Sequence, residues 1–218
     1  MELKGKKILF LGDSITEGCG TSGEGYKFSD LIAKNEGAIC YNYGIGGTRI
    51  AYQRNPSENP RWDLNFIDRV DEMEETADIV VVFGGTNDYG HGDAAIGSFE
   101  DRTPWTFYGA VHILITKLIN RYPAAKLVFL TPLHRGTEVQ CIRKGDTEVT
   151  VTLKQYVDIL REVLEYYSIP TLDLYKCGRM QPLVPIIQET YMPDALHPNN
   201  AGHVLLAESI TAFLKSQF

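Results

Sequence analysis

Ile8-Leu9-Phe10-Leu11-Gly12-Asp13-Ser14 is a short apolar run that ends in a turn carrying a hydroxyl. Two further runs, Val80-Val81-Val82-Phe83 and Leu127-Val128-Phe129-Leu130, are continuous rather than alternating, the pattern of parallel strands covered on both faces. With weaker runs they predict five strands, at 6–11, 37–43, 78–84, 126–131 and 169–173. Between and after them the spacing predicts helices over 24–36, 63–75, 107–121, 152–167 and 199–216. In the fourth, Leu153, Tyr156, Val157, Leu160, Val163 and Leu164 recur at three and four residues and mark one buried stripe. Asn120-Arg121-Tyr122-Pro123 ends the third, because the residue before proline disfavours helix. This βαβα alternation implies a three-layer α/β/α sandwich with right-handed crossovers, built as one domain over 1–218.

Composition narrows the function classes. A formal charge of −7 argues against nucleic acid and anionic membranes as partners, since both need a positive surface potential. No apolar run approaches a membrane span, and only four apolar residues follow Lys4, Lys6 and Lys7, too few for a secretory signal. The location expected from this is cytoplasmic. Cys19, Cys40, Cys141 and Cys177 show neither C-x-x-C spacing nor histidines at metal-site spacing, so free thiols, no metal and no cofactor are expected. A small-molecule ester is the partner expected, and nothing in the pattern excludes a homo-oligomer.

In an open parallel sheet, ligands bind beyond the carboxyl ends of the strands, where strand order reverses. With order 2-1-3-4-5 that point lies between the first and third strands. Ser14 follows the first strand, Gly44-Ile45-Gly46-Gly47-Thr48 the second and Gly84-Gly85-Thr86-Asn87-Asp88 the third. Asp194-Ala195-Leu196-His197, bracketed by Pro193 and Pro198, follows the fifth. A serine hydroxyl is a weak nucleophile until a base takes its proton, and a carboxylate must hold that base in one tautomer. Three residues apart, Asp194 can reach Nδ1 of His197 and leave Nε2 facing Ser14. The first and fifth strands are about 14–15 Å apart at roughly 4.8 Å per strand, and residues 174–196 can span more than that. Ser14 N–H, a glycine N–H and the Asn87 amide are candidate donors to a developing oxyanion. The same glycines would also serve simply as tight βα turns, and Asn87 as a turn former.

Gly12-Asp13-Ser14, Gly47, Gly85-Thr86-Asn87-Asp88 and Asp194 with His197 resemble, in order, the four blocks of the SGNH (GDSL) hydrolase family. The resemblance spans almost the whole chain. It implies a flavodoxin-like fold, Ser14 as nucleophile, Ser14 N–H, Gly47 N–H and Asn87 Nδ2 as oxyanion donors, and Asp194–His197 as the supporting pair. Gly44 and Gly46 stand close enough to Gly47 to leave the donating glycine open.

Two connections exceed what structure alone requires. The segment 87–106 carries Tyr89, His91 and Trp105, and 133–151 carries His134 and, at Lys144-Gly145-Asp146, a turn suited to a hairpin. Together with Asp13 and Tyr191, the residues Tyr89, His91, Trp105 and His134 are candidate substrate-lining groups. The activity expected is serine-dependent hydrolysis of small-acyl carboxylic esters, sugar O-acetyl esters foremost. A lysophospholipase or acyl-thioesterase is the enzymatic alternative, and a catalytically silent flavodoxin-like binding module the alternative of another class.

Overall fold

Successive side chains of a strand face opposite ways, and in the strand β1 (Lys7–Gly12) this divides the molecule between two cores. Leu9 and Leu11 enter one apolar cluster, Ile8 and Phe10 the other. The computed structural model describes residues 2–144 and 147–217. After β1 the chain forms α1 (Ser14–Glu17), α2 (Phe28–Glu36), β2 (Ile39–Gly44), α3 (Phe66–Arg69), β3 (Ile79–Phe83), α4 (Thr86–Gly90), α5 (Phe107–Arg121) and β4 (Lys126–Leu130). It continues through β5 (Val139–Lys144), β6 (Thr147–Thr152), α6 (Leu153–Tyr166), β7 (Thr171–Leu172), α7 (Leu174–Cys177), α8 (Pro185–Tyr191) and α9 (Asn200–Gln217).

The main sheet is parallel, in the order β2-β1-β3-β4-β7. Its fifth strand is the seventh in the chain, so the expected 2-1-3-4-5 arrangement holds once the separate β5–β6 pair is set aside. One core packs Val80, Val82, Leu127 and Phe129 against α3, α5 and α6; the other packs Phe10, Val81, Val128 and Leu130 against α2 and α9. The three-layer sandwich follows from this division. Among the described residues no helix is long and apolar enough to cross a membrane.

Local chemistry explains where the elements depart from expectation. The helix expected over 63–75 is broken into a 3₁₀ turn at Pro60–Asp63, α3, and a second 3₁₀ turn at Val70–Glu72. Asn65 restarts the chain there by accepting the Asp68 N–H on its side chain at 2.9 Å. The strand expected at 169–173 is reduced to Thr171 and Leu172. The 133–151 segment contains the expected hairpin, with β5 antiparallel to β6; Gly145 and Asp146 of its turn lie outside the described residues. Directly after β6, Thr152 and Gln155 form a reciprocal capping box, Thr152 Oγ1 accepting from Gln155 N and Gln155 Oε1 from Thr152 N.

The apolar stripe of α6 is fully enclosed, with Leu160 1% exposed. Truncating it removes buried methyl groups from a close-packed layer. Leu160→Ala should therefore cost about 2–5 kcal/mol, whereas Lys154→Ala, which breaks only the surface pair with Asp158, should stay within about 0.5 kcal/mol. Urea denaturation of the two variants checks this contrast.

Candidate active site

Gly12 ends β1 in register with Gly44 on one side and Phe83 on the other. A side chain at Gly12 would begin 2.0 Å from Thr16 Oγ1, so only glycine lets α1 start this close to the strand end. Asp13 caps α1, its carboxylate accepting the Ile15 N–H at 3.0 Å. Ser14 is thereby the first residue of a helix, 7% exposed, with its own N–H among the amides that a helix leaves without an internal partner.

The Asp194–His197 turn comes over the sheet edge from the far end of the chain. His197 Nε2 lies 2.9 Å from Ser14 Oγ, and His197 Nδ1 lies 2.6 Å from Asp194 Oδ2. The other carboxylate oxygen, Oδ1, accepts the backbone N–H groups of Leu196 and His197 at 2.9 and 2.7 Å. Partial burial pushes the Asp194 carboxyl up, but the backbone amide and imidazole of His197 and the Leu196 amide outweigh it and hold it below the usual carboxylate range. Between them Ala195 adopts φ 61°, a left-handed conformation costly for a residue with a Cβ. It is held from both sides: Ala195 N donates to Met192 O at 2.7 Å, and Gly136 N donates to Ala195 O at 2.8 Å.

Hydrogen bonds occupy two of the three glycine amides at the end of β2 and in the loop after it. Gly44 N–H donates to Asn42 Oδ1 at 2.8 Å, and Gly46 N–H donates to Glu17 Oε2 at 2.7 Å. Gly47 has φ 78°, and a Cβ there would stand 2.0 Å from Trp62 Cδ1. Among the described residues no hydrogen bond ends on its N–H. Asn87, 5% exposed, donates one amide hydrogen to Thr48 O at 3.0 Å, which leaves its second hydrogen available. Asp88 holds the next stretch of this loop by accepting the N–H groups of Ile50 and Ala51, each at 2.9 Å.

The candidate substrate-lining residues separate. Asp13 is buried under Ser14 as a cap, and His91 is exposed beside Trp62, with ring centroids 5.2 Å apart. Tyr89 corrects its expectation: it is fully buried in the core against Tyr156, with its hydroxyl donating to Thr137 O at 3.0 Å. In α4 it points to the opposite side from a lining residue, because the chain turns helical directly after Gly85. His134 is paired with Glu138 at 2.6 Å and lies over Tyr175; Trp105 stands edge-on to Tyr52; Tyr191 packs on the core beneath α9. The residues that do flank the glycine loop are Glu17, Arg61 and Trp62. Glu17, three residues after Ser14 on the same short helix, pairs with Arg61. The i, i+3 spacing from Ser14 was a signal for Glu17; Arg61 and Trp62 lie in a loop whose path no pattern announces. Among the described residues no group of three or more His, Cys, Asp and Glu side chains is placed to hold a metal ion.

The burial of Asp13 has a consequence for stability. Burial pushes its carboxyl up to about 6, against the partial relief of the Ile15 N–H. A carboxyl whose folded value lies above its unfolded value binds its proton more tightly when folded. Its contribution to stability is fully present below about pH 4 and is lost as pH rises through about 6. Asp13→Asn keeps the cap acceptor and removes this dependence. Relative to wild type, the variant should gain up to about 3 kcal/mol between pH 4 and pH 7, measured by urea denaturation across that range.

The model of the GDSL-like Lipase/Acylhydrolase family matches residues 10–205. Cellulase/esterase CelE of Acetivibrio thermocellus is 25% identical over 97% of this chain, which spans 26% of that protein's length. A protein of known structure from Lactobacillus plantarum is 30% identical, covers 99% of both chains and superposes with a TM-score of 0.83. A two-domain esterase (CEX) active on acetylated mannans superposes with a TM-score of 0.61 at 19% identity, over 98% of this chain and 49% of its own. With the family model covering nearly the whole length, the chain belongs to the GDSL-like lipase/acylhydrolase family, and with it to the carboxylic ester hydrolases.

Proposed function

We propose that this chain hydrolyses carboxylic esters of small acyl groups, O-acetyl groups on sugars foremost, through an acyl-enzyme on Ser14. The observation that carries this reading is the unbroken hydrogen-bonded line from Asp194 through His197 to Ser14 Oγ. As Oγ attacks the ester carbon, His197 Nε2 takes its proton, and Asp194 holds Nδ1–H and balances the imidazolium. The carbonyl oxygen, now negative, accepts hydrogen bonds from Ser14 N–H, Gly47 N–H and Asn87 Nδ2. Collapse of the tetrahedral adduct releases the alcohol, which takes the proton from His197. Water then attacks the acyl-serine by the same path in reverse and frees the acid.

Two observations support a hydroxylated alcohol rather than a long acyl chain. The groups beside the donor loop are polar or aromatic: the Glu17–Arg61 pair against Gly46, and Trp62 against Gly47 with His91 at its edge. Among related proteins, CelE is named a cellulase/esterase, and CEX acts on acetylated mannans.

An ester panel with acyl groups of two to twelve carbons tests the reading, with Ser14→Ala as control. Rates should be highest for acetyl and should vanish in the control. An optimum at eight or more carbons would favour the lysophospholipase or thioesterase reading. A chain that neither turns over any ester nor is labelled at Ser14 by a fluorophosphonate would be a binding module. In the same assay Asn87→Ala should lower kcat by about 10²–10³ with little change in KM, because that donor acts chiefly in the transition state.

A further inference from the structure

Arg69 is buried to 3% exposure, yet among the described residues no carboxylate stands within ion-pair distance of it. Its Nε finds no acceptor. What the guanidinium touches instead is backbone and one hydroxyl. Nη2 donates to Gly12 O at 3.0 Å and to Tyr43 O, and Nη1 donates to Thr48 Oγ1 at 2.8 Å. Phe66 supports it from α3, with Cζ 5.1 Å from the ring centroid. Burial pulls its pKa down to about 10, so the group stays charged at neutral pH.

These contacts share a pattern. Gly12 O lies two residues before Ser14, at the end of β1. Tyr43 O lies one residue before the end of β2, next to Gly44. Thr48 follows Gly47 directly, and its carbonyl is the acceptor of the Asn87 side chain at 3.0 Å. Thr48 Oγ1 in turn donates to Ile45 O at 2.6 Å and closes the loop on itself. One planar cation therefore ties the segment that carries Ser14 N–H to the one that carries Gly47 N–H, and the carbonyl of Thr48 extends the tie to Asn87 Nδ2. A lysine could supply the charge, but not a rigid fork spanning several acceptors. Gly12 O also accepts the Ile45 N–H at 3.1 Å, so the guanidinium is a second donor at that carbonyl and clamps the β1–β2 pairing at its carboxyl end.

We infer that Arg69 is a positioning residue for the oxyanion site, fixing the mutual placement of its three donors through Gly12 O, Tyr43 O and Thr48 Oγ1. The inference rests on the ester-hydrolase reading of Ser14. Donors fixed in advance lower the barrier because nothing reorganises as charge appears. Substrate in its ground state places little charge there, so loosening the donors raises the barrier more than it weakens binding.

The test measures kcat and KM on the best ester of the panel for Arg69→Met, Arg69→Lys and Thr48→Val. Ki for an alkylboronic acid, which forms a tetrahedral adduct on a nucleophilic serine, is measured alongside. All are read below each variant's melting temperature, with circular dichroism reporting the folded fraction. Thr48→Val removes one hydroxyl, with its bonds to Arg69 and Ile45 O, and keeps the core volume, so it stands even where Arg69→Met folds poorly. Arg69→Met and Thr48→Val should lower kcat per folded molecule by about tenfold or more with KM nearly unchanged. Ki should rise in proportion to the loss in kcat/KM, and Arg69→Lys should recover part of it. Lower melting temperatures with kcat per folded molecule within about twofold of wild type would make Arg69 structural only and overturn the inference. An unchanged Ki, or a loss confined to KM, would overturn it equally. If Ser14→Ala retained wild-type turnover, the hydrolase reading itself would fail, an outcome separate from any behaviour of Arg69.

Discussion

The parallel register of β1 with both its neighbours is the constraint from which the rest follows. Gly12 pairs with Gly44 and with Phe83, so three strands reach their carboxyl ends at the same level. Each then needs a loop at the same edge, and the loops carry Ser14, Gly47 and Asn87. Close approach is what makes the edge crowded: α1 starts on the turn after Gly12, and a side chain at Gly44 would meet the Glu17 backbone N at 2.1 Å. A slip of one residue in β1 would exchange its two apolar faces and move Ser14 away from the switch point together with them. Packing and site geometry are thus set by a single alignment.

Charge is buried here more freely than stability alone would favour. Asp13, Asp88, Arg49 and Arg69 are each at most 3% exposed. Desolvation penalises each, and backbone groups do much of the compensating: Ile15 N–H for Asp13, Ile50 and Ala51 N–H for Asp88, strand-end carbonyls for Arg69. Arg49 combines a backbone contact at Trp62 O with an ion pair to Asp63 at 2.6 Å. Side chains used in this way replace the regular ladders that end at the sheet edge. They lock irregular loops with a rigidity that apolar packing, which is non-directional, does not supply.

Much of this was legible from residue order. The runs at 80–83 and 127–130 read as buried parallel strands because both faces are covered, and the stripe of α6 appeared at its true spacing. Gly12-Asp13-Ser14 and Asp194-x-x-His197 announced the groups that meet, since reactive residue types at strand ends leave a local signature. What stayed hidden depends on long-range geometry. That the Gly44 and Gly46 amides are occupied, by Asn42 and Glu17, is visible only once the chain is folded. Tyr89 looked like a lining residue by proximity to Asn87, but one helical turn sends it into the core. Arg69 sits in a short charged stretch, Ile67-Asp68-Arg69-Val70-Asp71-Glu72, and nothing local distinguishes it from a solvated side chain. The segment around it read as one long helix because apolar spacing survives the break that Asn65 makes.

The bond between Ser14 and His197 joins residues 183 apart in the chain. The hydroxyl appears within the first turn after the first strand, while the imidazole belongs to the segment that docks through α8 and α9. During synthesis, which proceeds from the amino end, the serine therefore leaves the ribosome long before the histidine exists. The contact reports completion of the fold: the hydroxyl meets the imidazole only after segments 183 residues apart have found each other.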